Sequence, residues 1–190
     1  VTSDWSPDVC SADLAIVHLT AAVEAEPAYA DGHTNLAMAL FSLGRLQEAE
    51  RHARQALAQA PDQAAALVCL GNVHSKRNEY EPALECFRRA TVADPAYDAA
   101  YNNFGNALAE LGRYDDALTA HLRVADLALE PADAPRNSRR VLKALGRLDE
   151  AIEVYDAALT HDSDHRDARF GRAQAHLLQG RFAEGWADYL

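Results

Sequence analysis

Apolar residues recur every three or four positions along most of this chain, in segments separated by glycine, asparagine or proline. Within residues 31–43, the apolar positions are Leu36, Ala37, Leu40 and Leu43. Gly44 follows, and within residues 46–60 a second stripe consists of Ala49, Ala53, Ala56 and Leu57. This spacing is typical of amphipathic helices, so the pattern predicts two helices joined by a turn at Gly44 and ended by Pro61.

The same arrangement repeats along the chain with a period of 34 residues. One column of small residues consists of Ala15, Ala49, Ala83, Ala117, Ala151 and Gly185, and a second consists of Ala22, Ala56, Ala90 and Ala158. A column that marks helix ends consists of Gly44, Asn78, Gly112, Gly146 and Gly180. Glycine and asparagine are the residues that most readily end a helix in the left-handed conformation, so each period is predicted to hold two helices.

The small columns give the two helices of each period a way to pack closely. Helices approach each other where a side chain is no larger than a methyl group, and a larger group there overpacks at a cost of about 1–3 kcal/mol. Neither helix can bury its apolar stripe alone, so successive pairs are expected to stack on one another. The sequence therefore predicts an all-α protein built from stacked helix pairs.

A helix–turn–helix period of 34 residues with small residues at positions eight and twenty resembles the tetratricopeptide repeat. If position one is placed at residues 30, 64, 98, 132 and 166, position eight holds Ala37, Gly71, Gly105 and Ala173, and position seven holds Leu36, Leu70 and Phe104. The resemblance covers about residues 15–190. It implies a right-handed α-solenoid of antiparallel helix pairs.

We expect a single solenoid over residues 15–190. It would consist of a second helix at residues 15–29, full repeats at 30–63, 64–97, 98–131 and 132–165, and a partial repeat at 166–190. Residues 1–14 are predicted to be a non-native or disordered segment, because residues 4–14 resemble the translation of a common sequencing adapter.

Composition and charge narrow the classes of function. Forty of the 190 residues are alanine and only 18 are valine, isoleucine or threonine, which disfavours a β-protein. The net charge of −11 argues against nucleic-acid binding, because an acidic surface repels phosphates. No apolar run reaches the roughly 18 residues of a membrane span, so no membrane insertion is expected. The three cysteines are too few for a disulfide framework and favour a cytoplasmic location.

Motifs for catalysis or cofactor binding are missing from the sequence, which has no phosphate loop and no Gly-x-Ser-x-Gly elbow. Residues 161–165 include ligand-type side chains, but they fall where the other repeats have a turn, so a solvated turn is predicted. Cys69 and Cys86 lie on the two helices of one repeat and are predicted to be small buried hydrophobes rather than a redox pair. We therefore expect a non-catalytic protein that holds no cofactor and no metal.

In the tetratricopeptide-repeat family, positions two, five, six, nine, twelve and thirteen line a concave groove. Here those positions carry asparagines, namely Asn102 at position five, Asn35, Asn103 and Asn137 at position six, and Asn72 and Asn106 at position nine. The asparagines at positions six and nine resemble the asparagine ladder of O-linked N-acetylglucosamine transferases. This resemblance implies contacts with the backbone of an extended peptide, since a carboxamide both donates and accepts. Cys69 and Gly171 interrupt the series. The alternative is that the asparagines satisfy neighbouring backbone groups of the protein itself.

The fifth repeat carries a basic cluster on the expected concave face. Arg136, Arg140 and Lys143 are spaced i, i+4 and i+7, which favours a site for an anion or an acidic peptide. A solvated basic face is the alternative. Arg139 occupies position eight, where other repeats have Gly or Ala, so this helix is predicted to be shifted or irregular, with Arg139 pointing outward.

Together these observations predict a protein- or peptide-binding scaffold that uses its concave face. One alternative is the substrate-recruiting arm of a glycosyltransferase-like enzyme. It rests on residues 185–189, Gly-Trp-Ala-Asp-Tyr, which resemble the ending that precedes catalytic domains in some bacterial repeat proteins. The other alternative is head-to-tail self-association through uncapped ends of the solenoid.

Overall fold

The computed structural model describes residues 7–127 and 146–189. Within these two ranges the chain forms ten α-helices and no strand. In chain order the helices are α1 (Pro7–Ala25), α2 (Ala30–Ser42), α3 (Leu46–Gln59), α4 (Ala64–Lys76), α5 (Tyr80–Ala93), α6 (Asp98–Glu110), α7 (Tyr114–Leu127), α8 (Leu148–His161), α9 (Arg166–Leu178) and α10 (Phe182–Tyr189). The all-α prediction is confirmed for the described residues.

The chain divides into two compact units, Val1–Ala100 and Tyr101–Leu190, with the boundary inside α6. In the first unit, α2 packs against α3 and α4 packs against α5, while α2 also contacts α1 and α4. In the second unit, α9 packs against both α8 and α10. Consecutive helices thus pair as hairpins, as the period predicts.

The helices end at the glycine and asparagine residues that the 34-residue period predicts. The turn between α2 and α3 places Gly44 at φ 74°, and the equivalent Asn78 between α4 and α5 has φ 61°. The other left-handed residues that the period places at helix ends are Gly112, Gly146 and Gly180. At the first of these turns the Arg45 amide donates to the Leu40 carbonyl at 2.9 Å, which satisfies a carbonyl that the end of α2 leaves without a helical partner.

The two small columns lie inside the hairpins. Buried members of both columns are Ala49, Ala56, Ala83, Ala90, Ala117, Ala151 and Ala158. Gly185 is also buried, and a Cβ added there would lie 2.7 Å from Cγ of Leu177. The two members on α1 are the exceptions, since Ala15 is exposed and Ala22 is half-buried. The prediction that these positions bring helices close together holds for the rest of the described columns.

Helix α1 begins at Pro7, upstream of the predicted start at Ala15. Proline is tolerated in the first turn of a helix, where its missing amide hydrogen would have no helical partner. The inner face of α1 places Ile16 and Val23 in one core cluster with α2 residues. Residues 7–14 are therefore helical. The prediction that this segment is non-native is a separate matter and stays a prediction.

Candidate functional site

The predicted asparagine series lies on the first helix of each described pair. Asn35 is exposed on α2, and Asn72 is half-buried on α4. Asn102 and Asn103 are half-buried on α6, while Asn106 is exposed. Residues 102, 103 and 106 are spaced i, i+1 and i+4, which places them on one side of α6. In the first unit α2 contacts α4, so the helices that carry Asn35 and Asn72 are neighbours.

Four of these asparagines have carboxamides that make no hydrogen bond within the described part of the chain, namely Asn35, Asn72, Asn103 and Asn106. Hydroxyl side chains within the helices behave differently. Thr34 donates to the Ala30 carbonyl at 3.1 Å, and the same kind of bond to a carbonyl three or four residues earlier is made by Ser42, Thr91, Thr119 and Thr160. Short polar side chains in helices commonly bond to nearby backbone groups in this way, and the four carboxamides do not.

Two positions interrupt the asparagine series, and packing explains both. Cys69 is only 3% exposed, and it lies in a cluster with Ala37, Ala53 and Leu70. At the corresponding position in α9, Gly171 is buried, and a Cβ there would lie 2.5 Å from Cζ of Tyr155. These two positions are therefore occupied by the core and present no polar group to a ligand.

Cys69 is buried, as the sequence predicts, whereas Cys86 is half-buried. Burial raises the pKa of the Cys69 thiol to about 11 and also raises the pKa of Cys86. Both are free, and Cys86 packs against the same cluster as Cys69. Because the thiolate is the reactive form, a raised pKa makes both groups poor nucleophiles.

A polar network links α2 to the start of α4. The side-chain oxygen Oε1 of Gln63 accepts from the Thr34 hydroxyl at 2.6 Å, and its side-chain Nε2 donates to the Asp31 carboxylate at 2.6 Å. Gln63 is the residue that precedes α4, so the network joins one repeat to the next. The network engages Asp31 and Thr34, which occupy two of the positions expected in the groove, in internal hydrogen bonds, whereas Asn35 beside them makes none within the described part of the chain.

An ion cluster in the last described hairpin was missed by sequence reasoning. Arg172 on α9 donates to Asp156 on α8 and makes two bonds to Asp188 on α10. The bonds to Asp188 are the largest influence that raises the pKa of Arg172 above its ordinary value. Arg172 occupies position seven, which is apolar in the second, third and fourth repeats. A charge in that column was the available signal.

A buried histidine pair was also missed, because its members do not follow the 34-residue period. His33 and His52 are 19 positions apart and lie on α2 and α3, with their Nδ1 atoms 3.0 Å apart.

Of the residues at the turn predicted over 161–165, those at 162–164 are exposed and His165 precedes α9. The solvated turn is confirmed there.

Several predicted residues lie outside the described ranges, namely Asn137, Arg136, Arg139, Arg140 and Lys143. Within the described ranges no group of three or more His, Cys, Asp or Glu side chains is placed to hold a metal ion. In the same part of the chain, no helix combines the length and the apolar character that crossing a membrane requires.

Solved structures share this fold. YrrB, a TPR protein with an unusual peptide-binding site, superimposes with a TM-score of 0.70 at 24% identity, over 90% of this chain and 88% of its own. MamA gives a TM-score of 0.71 at 21% identity, over 84% of this chain and 87% of its own. TTC0263, a thermophilic TPR protein in Thermus thermophilus, gives a TM-score of 0.69 at 22% identity, over 90% and 93% of the two chains. At these identities the likeness establishes the fold alone.

Sequence families give a more specific result. No curated protein matches the sequence at a significant level. One family model of the tetratricopeptide repeat matches residues 28–96, and a second matches residues 70–134 and 140–190. The second alone spans more than half of the chain. The chain is therefore a member of the tetratricopeptide-repeat family of helical scaffolds for protein–protein interaction.

Proposed function

We propose that this protein binds an extended peptide through asparagine side chains on the first helices of its repeats, without catalysing a reaction. The observation that carries the proposal is the set of four carboxamides, at Asn35, Asn72, Asn103 and Asn106, that find no hydrogen-bond partner among the described residues. Asparagine is unfavourable inside a helix because its side chain competes for backbone groups. Because these four asparagine side chains do not bond to backbone groups of the protein, an external partner is favoured over the alternative that they satisfy neighbouring backbone groups.

The chemistry of the carboxamide fits a peptide backbone. Its oxygen accepts and its amide donates, so it can pair with a peptide N–H and C=O whatever the side chains of the peptide are. At about 0.5–1.5 kcal/mol for each hydrogen bond, four or five asparagines contribute only a few kcal/mol. After the cost of ordering the peptide, we expect a dissociation constant in the micromolar range at best.

The likeness to YrrB, which has a peptide-binding site, supports the same use of the fold. The proposal places contacts on α2 and α4 in the first unit and, separately, on the part of α6 that belongs to the second unit. It excludes Cys69 and Gly171, which are buried. Asn102 belongs to the same side of α6. Asn137, Arg136, Arg140 and Lys143 lie outside the described residues and stay predictions from the sequence, in which an acidic residue of the peptide would suit the three basic side chains.

A peptide array tests the proposal. Binding of the wild type would be compared with the double variant Asn103→Ala/Asn106→Ala, which removes two of the three asparagine carboxamides of α6 without changing the core. Loss of two hydrogen bonds of about 0.5–1.5 kcal/mol each should weaken binding to the strongest peptides roughly 5- to 150-fold. Asn35→Ala/Asn72→Ala applies the same test to the first unit.

The matched control is Gln47→Ala/Gln59→Ala, which removes two exposed carboxamides from α3, a second helix. Its peptide profile should equal that of the wild type. Equal affinities of wild type and Asn103→Ala/Asn106→Ala for the same peptides would remove the asparagines from the account.

Self-association stays a second candidate, because apolar side chains are exposed on α1 and α10. They include Leu14, Val17, Phe182, Trp186 and Tyr189, each more than half exposed. Light scattering over a concentration series tests this candidate, which fails if the protein remains monomeric when concentrated. The alternative of a substrate-recruiting arm of a glycosyltransferase-like enzyme stays a prediction, and the genomic sequence that follows the codon for residue 190 would test it.

A further inference from the structure

Helix α10 packs against α9 with almost no buried apolar side chain. Of its eight residues only Gly185 is buried, and Asp188 is half-buried. Gly185 has no side chain, and its backbone approaches α9 so closely that an added Cβ would lie 2.7 Å from Cγ of Leu177. The ring of Tyr189 contacts Phe170 on α9 but is itself 54% exposed. The side chain that α10 directs into the hairpin is therefore a carboxylate.

Arg172 on α9 binds this carboxylate and a second one. Its Nε and Nη2 atoms donate to the two oxygens of Asp188 at 2.7 and 2.6 Å, which is the paired geometry of a strong arginine–carboxylate contact. Its Nη1 atom donates to Asp156 on α8. The side chain of Asp188 is 14% exposed and that of Asp156 is 51% exposed. One guanidinium thus joins three helices, and its contact with α10 is the more buried one.

Separation of α10 from α9 differs from separation of α5 from α4. Helix α5 is attached through the buried side chains of Ala83, Phe87 and Ala90, which separation would expose to water. Separation of α10 moves a carboxylate into water and leaves Arg172 with its bond to Asp156, so the positive charge keeps a partner. Because a helix of eight residues is not stable in isolation, α10 should unfold when it separates.

We propose that the Arg172–Asp188 pair is an electrostatic latch that lets α10 open by itself while α8 and α9 stay paired. Helices α8 and α9 pack directly against each other, and the Arg172–Asp156 bond between them does not involve α10. Opening uncovers the α9 surface beneath Gly185, which includes Ala173 and Leu177. The latch does not depend on the proposed peptide binding.

Two electrostatic effects oppose closure of the latch, and Arg172 offsets both. Asp188 lies in the last turn of α10, where the helix dipole disfavours a negative charge. Asp156 and Asp188 also repel each other, because both bind the same guanidinium. Closure should therefore weaken when Asp188 loses its charge and the bond to Arg172, and strengthen when the competing charge of Asp156 is removed.

Amide hydrogen exchange of the full chain at constant pH tests this opposite response. Asp188→Asn should lower the protection of α10 amides roughly 3- to 10-fold, although the dipole effect alone would raise it. Asp156→Asn removes a salt bridge of equal type, yet it should raise the protection of α10 by up to about threefold. Protection of α4 and α5 should stay constant in both variants. A fall of α10 protection in Asp156→Asn, or no fall in Asp188→Asn, would overturn the latch.

Salt gives an independent test on the wild type. Between about 0.05 and 0.5 M NaCl, protection of α10 should fall roughly two- to fivefold relative to α5, because added ions screen the pair. The control Arg169→Ala, which removes an exposed pair with Asp164, should show the same salt dependence as the wild type. Asp188→Asn should show none. Equal salt dependence of α10 in the wild type and in Asp188→Asn would contradict the proposal.

Discussion

The hairpins α4–α5 and α9–α10 occupy the same register of the repeat but close in different ways. In the first, the ring of Phe87 is fully buried, and a Cβ added to Gly71 would lie 2.5 Å from its Cε1 atom. In the second, the equivalent residues are Tyr189 and Ala173, and Tyr189 is 54% exposed. The tyrosine lies instead against Phe170 and Trp186 on the outside, with ring centroids 5.7 and 5.6 Å away.

Other hairpins follow the same relation between a small residue on the first helix and the side chain 16 positions later. Gly105 accommodates the buried ring of His121, whose Cε1 atom would lie 2.7 Å from an added Cβ. Ala37 is paired with Ala53, and both are fully buried. In these hairpins, glycine at position eight accompanies a buried ring 16 positions later, whereas alanine, with one more methyl group, accompanies a hairpin without a buried ring at that position. The charge cluster of Arg172 lies where α4 has the apolar Leu70, so the family fold accepts two kinds of closure.

The largest expected effect comes from removing the buried aromatic ring from the α4–α5 hairpin. Phe87→Ala removes a ring that is fully buried, and it should lower the free energy of unfolding by about 3–5 kcal/mol. Urea denaturation together with amide exchange in α4 and α5 measures the change, because repeat arrays can unfold in parts. Val92→Ala, on the same helix but 71% exposed, should change the stability by less than about 0.5 kcal/mol. A small effect of Phe87→Ala would mean that the ring is not a core residue.

The next substitution tests whether glycine is needed at position 71 because the ring of Phe87 packs against it. Gly71→Ala should destabilise the wild type by about 0.5–2 kcal/mol, because overpacking against Phe87 exceeds the gain of about 1 kcal/mol from alanine in a helix. In the Phe87→Ala background the same change should be neutral or stabilising by up to about 1 kcal/mol. A double-mutant cycle that gives no coupling free energy between Gly71 and Phe87 would contradict this dependence of one residue on the other.

A smaller effect is expected from the charged hairpin. Arg172→Ala leaves Asp188 without its partner at a site where that side chain is 14% exposed, so we expect a loss of about 1–2 kcal/mol. The control is Arg169→Ala, whose partner Asp164 is 88% exposed, and a loss below about 1 kcal/mol is expected. Denaturation of the two variants under identical conditions compares them. Equal losses would show that the cluster is an ordinary surface pair.

The smallest effect concerns the turns. Gly44→Ala places a Cβ where nothing lies within 4 Å, so its cost of about 1 kcal/mol arises from the left-handed backbone alone. Asn78→Gly, at the same position of the next turn, should be neutral or slightly stabilising. Both effects can be measured by urea denaturation. Stabilisation by Gly44→Ala would contradict the assigned conformation.

Most of the fold could be predicted from the sequence because it depends on features that repeat. Gly44 and Ala49 recur with the period, and each recurrence adds evidence for the same local structure. The start of α1 at Pro7 is not predicted, because residues 4–14 resemble a translated sequencing adapter and so give no reason to expect a native helix. The pairing of Gly171 with Tyr155 could not be predicted, since it joins different positions of two successive repeats.

The candidate site was predicted less completely. The asparagines follow from mapping family positions onto the sequence, but the sequence does not reveal which carboxamides bond internally. Cys69 could have faced a ligand by its position, and only packing removes it. His33 and His52 gave no periodic signal, because a contact between helices α2 and α3 is needed to bring them together.

The most direct test of the account follows the side-chain amide signals of the protein by NMR while the strongest array peptide is added. If the asparagines of α6 contact the peptide, the signals of Asn103 and Asn106 should shift together along one binding curve. Those of Gln47 and Gln59 on α3 should stay in place. Shifts of the two glutamines with unchanged asparagines, at saturating peptide, would contradict it.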